Sequence, residues 1–316
     1  MVAPEFMETF LTLLESRDIQ NIVEHLQNLS WQYPELVEVI NFTTTFEGRD
    51  LIGIKVPFKV GRVKVFKPAI FIDAGIHARE WIAPAMITLY GRDDDITRMV
   101  DVFDWYFVPV ANPDGYEYSM TADRYWRKTR SKNESVSKWC YGVDANRNWG
   151  YRWGEVGGSR NPCSGVYAGP TAFSEVEIAG IRDYITWKVA DLKAYFSLHS
   201  YGQVILSPWG YTKERPDNYE EQHTLARAAA EAIRNKTGAE YKFGSISELM
   251  YPASGTSIDY MMSKKVPFTY GIELRPEDGE LSSGFDLPAS EIEPTGEELL
   301  SAFLTVAKHV AGRRSS

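Results

Sequence analysis

Cysteine is nearly absent: Cys140 and Cys163 are the only two in 316 residues. At most one disulfide can form. Either both thiols are buried and free, or one bridge closes a loop of about 23 residues and constrains the unfolded chain by roughly 3–4 kcal/mol. No stretch of 18 apolar residues occurs, so nothing in the chain reads as a membrane-spanning helix. Runs of Lys and Arg never exceed two or three residues, and the net charge is −9. That balance argues against nucleic acid and anionic membrane as main partners. Met1 to Phe6 shows no basic region followed by an apolar core, so no signal peptide is legible. Internal repeats, low-complexity tracts and linkers are missing too, which leaves a single domain over residues 1–316.

What is present reads as globular: 44% of residues are apolar and 13% aromatic. A chain of this length can build a substantial core. Strand-like apolar, β-branched runs occur at Leu51–Val56, Ala69–Ala74, Trp105–Val110, Leu192–Leu198 and Phe268–Leu274. Some are almost wholly apolar, the mark of strands covered on both faces. Helical patterns lie between them. Ser174-x-x-Glu177 and Thr295-x-x-Glu298 read as capping boxes, the second opening a last helix that runs to about Val310. Tyr219–Lys236 reads as a helix ending near Gly238. Alternating strands and helices predict an α/β fold, a mixed, mostly parallel sheet sandwiched by helices, with chemistry at the carboxyl ends of strands. Four N-x-S/T sequons, at Asn28, Asn41, Asn133 and Asn235, permit glycosylation.

Those strand ends carry unusual residues. The run Ala69–Gly75 empties into Ile76-His77-Ala78-Arg79-Glu80, where a turn can aim His77 and Glu80 at one point. Imidazole and carboxylate together suit Zn²⁺, although this spacing by itself is a weak signal. His199 follows another apolar strand, and two His with one Glu make a zinc set that leaves a fourth position open to water. The other histidines, His25, His223 and His309, fall in helical patterns and read as structural or surface residues. Glu273 is the one acid closing an otherwise apolar strand, where it must face a cleft or pair with a cation such as Arg275. Hydrolysis at zinc needs such a proton carrier. Asn146-Arg147-Asn148 offers a bidentate guanidinium beside directional amides, and Arg127, Lys128 and Arg130 add cations nearby. Grouped arginines in an acidic protein point to an anionic end on the substrate.

Taken in order, Gly75-Ile76-His77-Ala78-Arg79-Glu80-Trp81, Asp144-Ala145-Asn146-Arg147-Asn148, His199-Ser200-Tyr201 and Gly271-Ile272-Glu273-Leu274-Arg275 resemble the zinc metallocarboxypeptidases of the pancreatic and digestive A/B type. The resemblance runs from about Asp18 to Gly312. It implies one Zn²⁺ held by His77, Glu80 and His199, Glu273 as general base and acid, and Arg127 at the oxyanion. Asn146, Arg147 and Tyr251 would grip the terminal carboxylate, with Tyr251 as a mobile cap, and Arg79 and Tyr201 would help guide the substrate. The side-chain pocket would have Ile258 as floor, with Ile246, Gly210, Ala253, Thr256 and Gly271 around it. An apolar floor implies removal of apolar or aromatic C-terminal residues. Adjacent Asp259 would point away if helical.

The resemblance further implies a disulfide between Cys140 and Cys163, a secreted or gut-lumen enzyme, peptide C-termini as substrates and protein carboxypeptidase inhibitors as partners. It implies cis peptides at Ser200-Tyr201 and Arg275-Pro276. Three departures stand out: no inhibitory prodomain precedes the catalytic domain, the helix Trp81–Tyr90 is about two turns short, and Gly271 replaces a larger pocket residue. An alternative is a zinc-free pseudoenzyme that binds peptides or inhibitors, which would normally lack a ligand or Glu273; both are present here. A small acyl-amino-acid hydrolase would lack the loop around Tyr251.

Overall fold

All six residues of Ala69–Ala74 are buried, as expected for a strand covered on both faces. The computed structural model describes residues 18–57, 67–87, 102–277 and 284–313. Among these, eight strands build one sheet: β1 (Glu38–Thr44), β2 (Asp50–Val56), β3 (Ala69–Ala74), β4 (Asp104–Val108), β5 (Leu192–Gly202), β6 (Val204–Ser207), β7 (Lys242–Ser245) and β8 (Phe268–Glu277). Their spatial order is β1-β2-β4-β3-β5-β8-β6-β7. The pairs β3–β4, β3–β5, β5–β8 and β6–β7 are parallel, while β1–β2, β2–β4 and β6–β8 are antiparallel. The mixed, mostly parallel sheet is therefore as the pattern predicts.

The helices are α1 (Ile19–Gln32), α2 (Ile82–Ile87), α3 (Pro113–Thr121), α4 (Val176–Lys188), α5 (Tyr219–Thr237), α6 (Ile246–Leu249), α7 (Ser257–Ser263) and α8 (Ile292–Gly312). Side chains alternate across a strand, and the two faces make two cores. Ile70, Ile72 and Phe196 pack with Leu225 and Ile233 of α5 and with Leu299 and Phe303 of α8. Phe71 and Tyr195 pack on the other side with Ile178 and Ile181 of α4 and Met261 of α7. Gly238 ends α5 in the left-handed region (φ 83°), its N–H donating to the Arg234 carbonyl at 2.9 Å. All four sequon asparagines are exposed. No described helix is long and apolar enough to cross a membrane. The helix expected to run to Tyr90 is described as far as Ile87, and its length beyond that lies outside the described residues.

Both capping boxes are corrected. Helix α4 starts at Val176 with Glu175 as its N-cap, and the Ser174 hydroxyl donates to Glu175 Oε1 (2.9 Å) instead of capping. Helix α8 starts three residues before Thr295, whose hydroxyl donates to the Glu291 carbonyl at 2.6 Å. Glu298 is fully buried there. Its carboxylate accepts from Arg275 Nε (2.9 Å) and Nη2 (2.5 Å), Tyr241 Oη (2.9 Å) and Thr237 Oγ1 (3.2 Å). A Thr-x-x-Glu spacing fits any helical turn, so this pair, one turn inside the helix, carries the same letters as a start signal.

Candidate active site

Strand β3 must turn sharply to deliver its cargo. Gly75 has φ 63°, and a Cβ there would lie 3.1 Å from Pro84 Cγ and 3.2 Å from Val110 Cα, so glycine is required. The turn brings His77 Nδ1 within 2.8 Å of Glu80 Oε1. Strand β5 runs on past its expected end to Gly202 and carries His199, whose Nδ1 is 3.1 Å from His77 Nδ1 and 3.1 Å from Glu80 Oε2. The three side chains are buried, and their ligand atoms all lie within 4.8 Å of one another. Both Nδ1 atoms face inward. Outside, His77 Nε2 meets Asp144 Oδ1 (3.2 Å) and His199 Nε2 meets Ser197 Oγ (3.1 Å). Two facing imidazole nitrogens and one carboxylate form a donor set that fits Zn²⁺.

Glu80 and His77 are shifted towards the forms a metal needs. Burial opposes the Glu80 anion, yet the charges of His77 and His199 and their hydrogen bonds hold its carboxyl well below its ordinary range. Burial and the Arg127 charge push His77 down, towards the neutral form a metal needs. Burial also lowers His199, but Glu80 outweighs it and the net direction is upward.

Register places the remaining groups. Glu273 on β8 pairs with His199 on β5, and burial raises its carboxyl to about 7 against the pull of His199, Arg127 and Arg147. Arg127 forks Asp144 Oδ2 through Nε (3.0 Å) and Nη2 (2.9 Å), leaving Nη1 3.3 Å from His77 Nδ1 and 3.8 Å from Glu80 Oε1. Asp144 stays ionised: burial opposes this, but Arg127 and His77 hold its carboxyl well below the usual range.

Arg147 follows in a short 3₁₀ turn and is 3% exposed. It donates to the carbonyls of Gly157 (3.1 Å) and Asn146 (2.8 Å) and to Tyr251 Oη (3.2 Å). Among the described residues no carboxylate forms an ion pair with it. A buried guanidinium without an anion is costly unless something anionic visits. Tyr251 is 47% exposed and sits over it. Asn146 Oδ1 accepts from the Ser257 N–H (2.9 Å), which turns its amide nitrogen towards His199.

These groups line one cleft of about 490 Å³, together with Arg79, Tyr201, Ile246, Ala253, Thr256, Ile258 and Gly271. Gly210 is the one expected wall that does not line it. A Cβ at Gly210 would meet the Ala253 carbonyl oxygen (2.6 Å) and Ile246 Cδ1 (3.2 Å), so it backs those walls from behind. Asp259 points away from the cleft, its carboxylate accepting from the N–H groups of Gly210 (2.9 Å) and Tyr211 (3.2 Å). Arg79 stacks on the Phe285 ring at 4.3 Å. Sequence reasoning missed Val204 and Leu206, which also line the cleft. They sit on a four-residue strand too short to announce itself, though its continuous apolar run Val204-Ile205-Leu206 is a faint signal.

Cys140 and Cys163 are disulfide-bonded, and no free cysteine occurs. Ser200-Tyr201 and Arg275-Pro276 are cis, as is Pro208-Trp209.

Known proteins agree with this geometry. The family described as zinc carboxypeptidase matches residues 22–302. Carboxypeptidase B of Astacus astacus is 42% identical over 302 residues, covering 93% of this chain and 96% of that protein. Carboxypeptidase A2 of Mus musculus is 40% identical over 300 residues, covering 92% and 69%. The solved structure of bovine thrombin-activatable fibrinolysis inhibitor in complex with tick carboxypeptidase inhibitor superposes with a TM-score of 0.84 at 35% identity, covering 94% of this chain and 97% of that one. Agreement in sequence, in fold and in a His-Glu-His cluster suited to Zn²⁺ is extensive enough that the chain belongs to the zinc carboxypeptidases, enzymes that work with a catalytic zinc ion.

Proposed function

We propose that this carboxypeptidase removes large apolar or aromatic residues from peptide C-termini, with His77, Glu80 and His199 holding its zinc. The observation that carries the reading is the buried Arg147, with no carboxylate paired to it among the described residues, in a cleft that Ile258 also lines. A terminal carboxylate supplies the missing anion through a bidentate fork, which selects chain ends over internal bonds. The side chain of the departing residue then meets Ile258, Ile246, Ala253 and Gly271. A basic side chain there would be buried and unpaired at a cost of several kcal/mol, because Asp259 is turned away.

Zinc, when bound, supplies a Lewis acid that acidifies water and polarises the scissile carbonyl. The chain supplies the rest. Glu273, held near neutrality by burial, takes a proton from the attacking water and delivers it to the leaving amine. Arg127, braced by Asp144, presents Nη1 to the developing oxyanion. Tyr251 leaves Arg147 when a carboxylate arrives and closes over it. The reading includes a secretory route, supported by the Cys140–Cys163 bridge, since disulfides persist in oxidising compartments.

The test is kcat/KM on matched blocked dipeptides ending in Phe, Trp, Leu, Val, Arg and Glu. Phe or another large apolar residue should lead Arg by at least about 10²-fold, the scale of one unpaired buried charge. A lead for Arg or Glu would remove Ile258 from the floor. A zinc-loaded protein inert on every substrate would replace the enzyme by a binding protein.

A further inference from the structure

One buried carboxylate has no part in the chemistry above. Asp73 is the only charged residue of β3 and is 1% exposed. The β3–β5 register sets it opposite Ser197. Its Oδ1 accepts from the Ser197 hydroxyl at 2.8 Å, and its Oδ2 accepts from the Tyr195 hydroxyl. Ser197 Oγ in turn lies 3.1 Å from His199 Nε2.

A hydroxyl has one proton to give. The Ser197 proton is directed at Asp73, so towards His199 its oxygen is an acceptor and Nε2 must carry hydrogen. That tautomer leaves the lone pair on Nδ1, the atom that faces His77 and Glu80. Asn146 Nδ2 also approaches His199 Nε2 and would favour the opposite tautomer, but at 3.4 Å it is the longer contact. The Ser197 contact is shorter and is polarised by a buried carboxylate, which strengthens it.

We infer that Asp73, acting through Ser197, is a positioning residue that fixes the tautomer and ring orientation of His199, as Asp144 does directly for His77. One imidazole is thus braced by a carboxylate at contact and the other through a hydroxyl relay. The inference rests on the proposed ligand set.

The test measures zinc affinity of the full chain by competition with a chromogenic chelator, alongside thermal unfolding of the metal-free protein. Ser197→Ala removes the relay with little change in volume and should weaken zinc 10- to 100-fold, the usual scale for such outer partners. Asp73→Asn should act in the same direction. The double variant should be no worse than Ser197→Ala alone, since both act through one hydrogen bond. Unchanged zinc affinity in a folded Ser197→Ala protein would overturn the inference, whatever its unfolding temperature does. Additive losses in the double variant would also overturn it. His199→Ala serves as control: if zinc stays bound there, the ligand set itself is wrong and the relay is not what failed.

Discussion

Gly271→Ala offers a direct measurement of pocket size. Gly271 sits on β8 with its α-carbon open to the cleft, and its φ is not in the left-handed region, so alanine meets no backbone strain. The added Cβ would stand 3.8 Å from Leu206 Cβ and 3.9 Å from Ile258 Cδ1, both ordinary van der Waals distances. Nothing has to move, and replacing glycine in a strand trims the freedom of the unfolded chain by about 0.4–1 kcal/mol. The variant should therefore fold at least as well as its parent. Its pocket is smaller by one methyl group just above the floor. One such group in an apolar pocket is worth about 1–3 kcal/mol of discrimination, or roughly 10- to 200-fold. Substrates ending in Trp and Phe should lose kcat/KM by that factor, while those ending in Val should hold or gain. The assay is the ratio of kcat/KM for Phe over Val in both proteins, with thermal unfolding as the folding check. An equal loss on every substrate, or an unchanged ratio, would refute the placement of Gly271 against Ile258.

Three further outcomes follow from the same geometry. Glu273→Gln keeps shape but not the proton carrier, so zinc should stay bound while kcat falls at least about 10²-fold. In the parent, activity should fall as pH drops through about 7 and Glu273 takes up a proton, with bound zinc moving that limb lower; the limb should vanish in the Gln variant. Arg147→Ala should raise KM sharply for free-acid peptides, and amidated peptides should be poor substrates of the parent; equal cleavage of acid and amide ends would contradict the carboxylate grip. Glu177, fully buried with Oε2 unpartnered, has its carboxyl raised to about 7 by burial. A raised carboxyl favours the folded state fully below its unfolded pKa and loses that contribution as pH climbs through 7. Glu177→Gln should then raise stability at pH 8 by about 2–3 kcal/mol and leave it level near pH 4, read from denaturant unfolding at both.

The site was more legible than the frame around it. His77, Glu80, His199 and Glu273 sit at the ends of long apolar runs, where a polar residue must have a reason, and those runs are the buried central strands. Strands β1, β6 and β7 went unseen because they are short or mixed in polarity, and their pairing is decided by neighbours elsewhere in the chain. Helix starts failed for a related reason. Thr295 and Glu298 carry the letters of a cap, but Glu298 is drawn inward by Arg275, a partner that only the folded sheet supplies. Gly210 was misplaced by one layer because adjacency in a loop does not say which side of a wall a residue occupies.

The Glu298 cluster also changes how far the working region of this molecule extends. Arg275, two residues beyond Glu273 on the same strand, is held by a helix on the opposite side of the sheet, and that helix in turn grips Tyr241 and Thr237. The placement of Glu273 is thus set partly from the back of the protein, by groups that lie outside the cleft. A variant library ranked by distance from the cleft would score Glu298 as inert cover. Its replacement would instead leave the half-buried Arg275 with Glu291 as its remaining anion and loosen the end of the strand that carries Glu273. Surveys of natural or engineered variation in this chain should weigh such a position with the ligands themselves, because its failure would look like lost catalysis with the entire cleft intact.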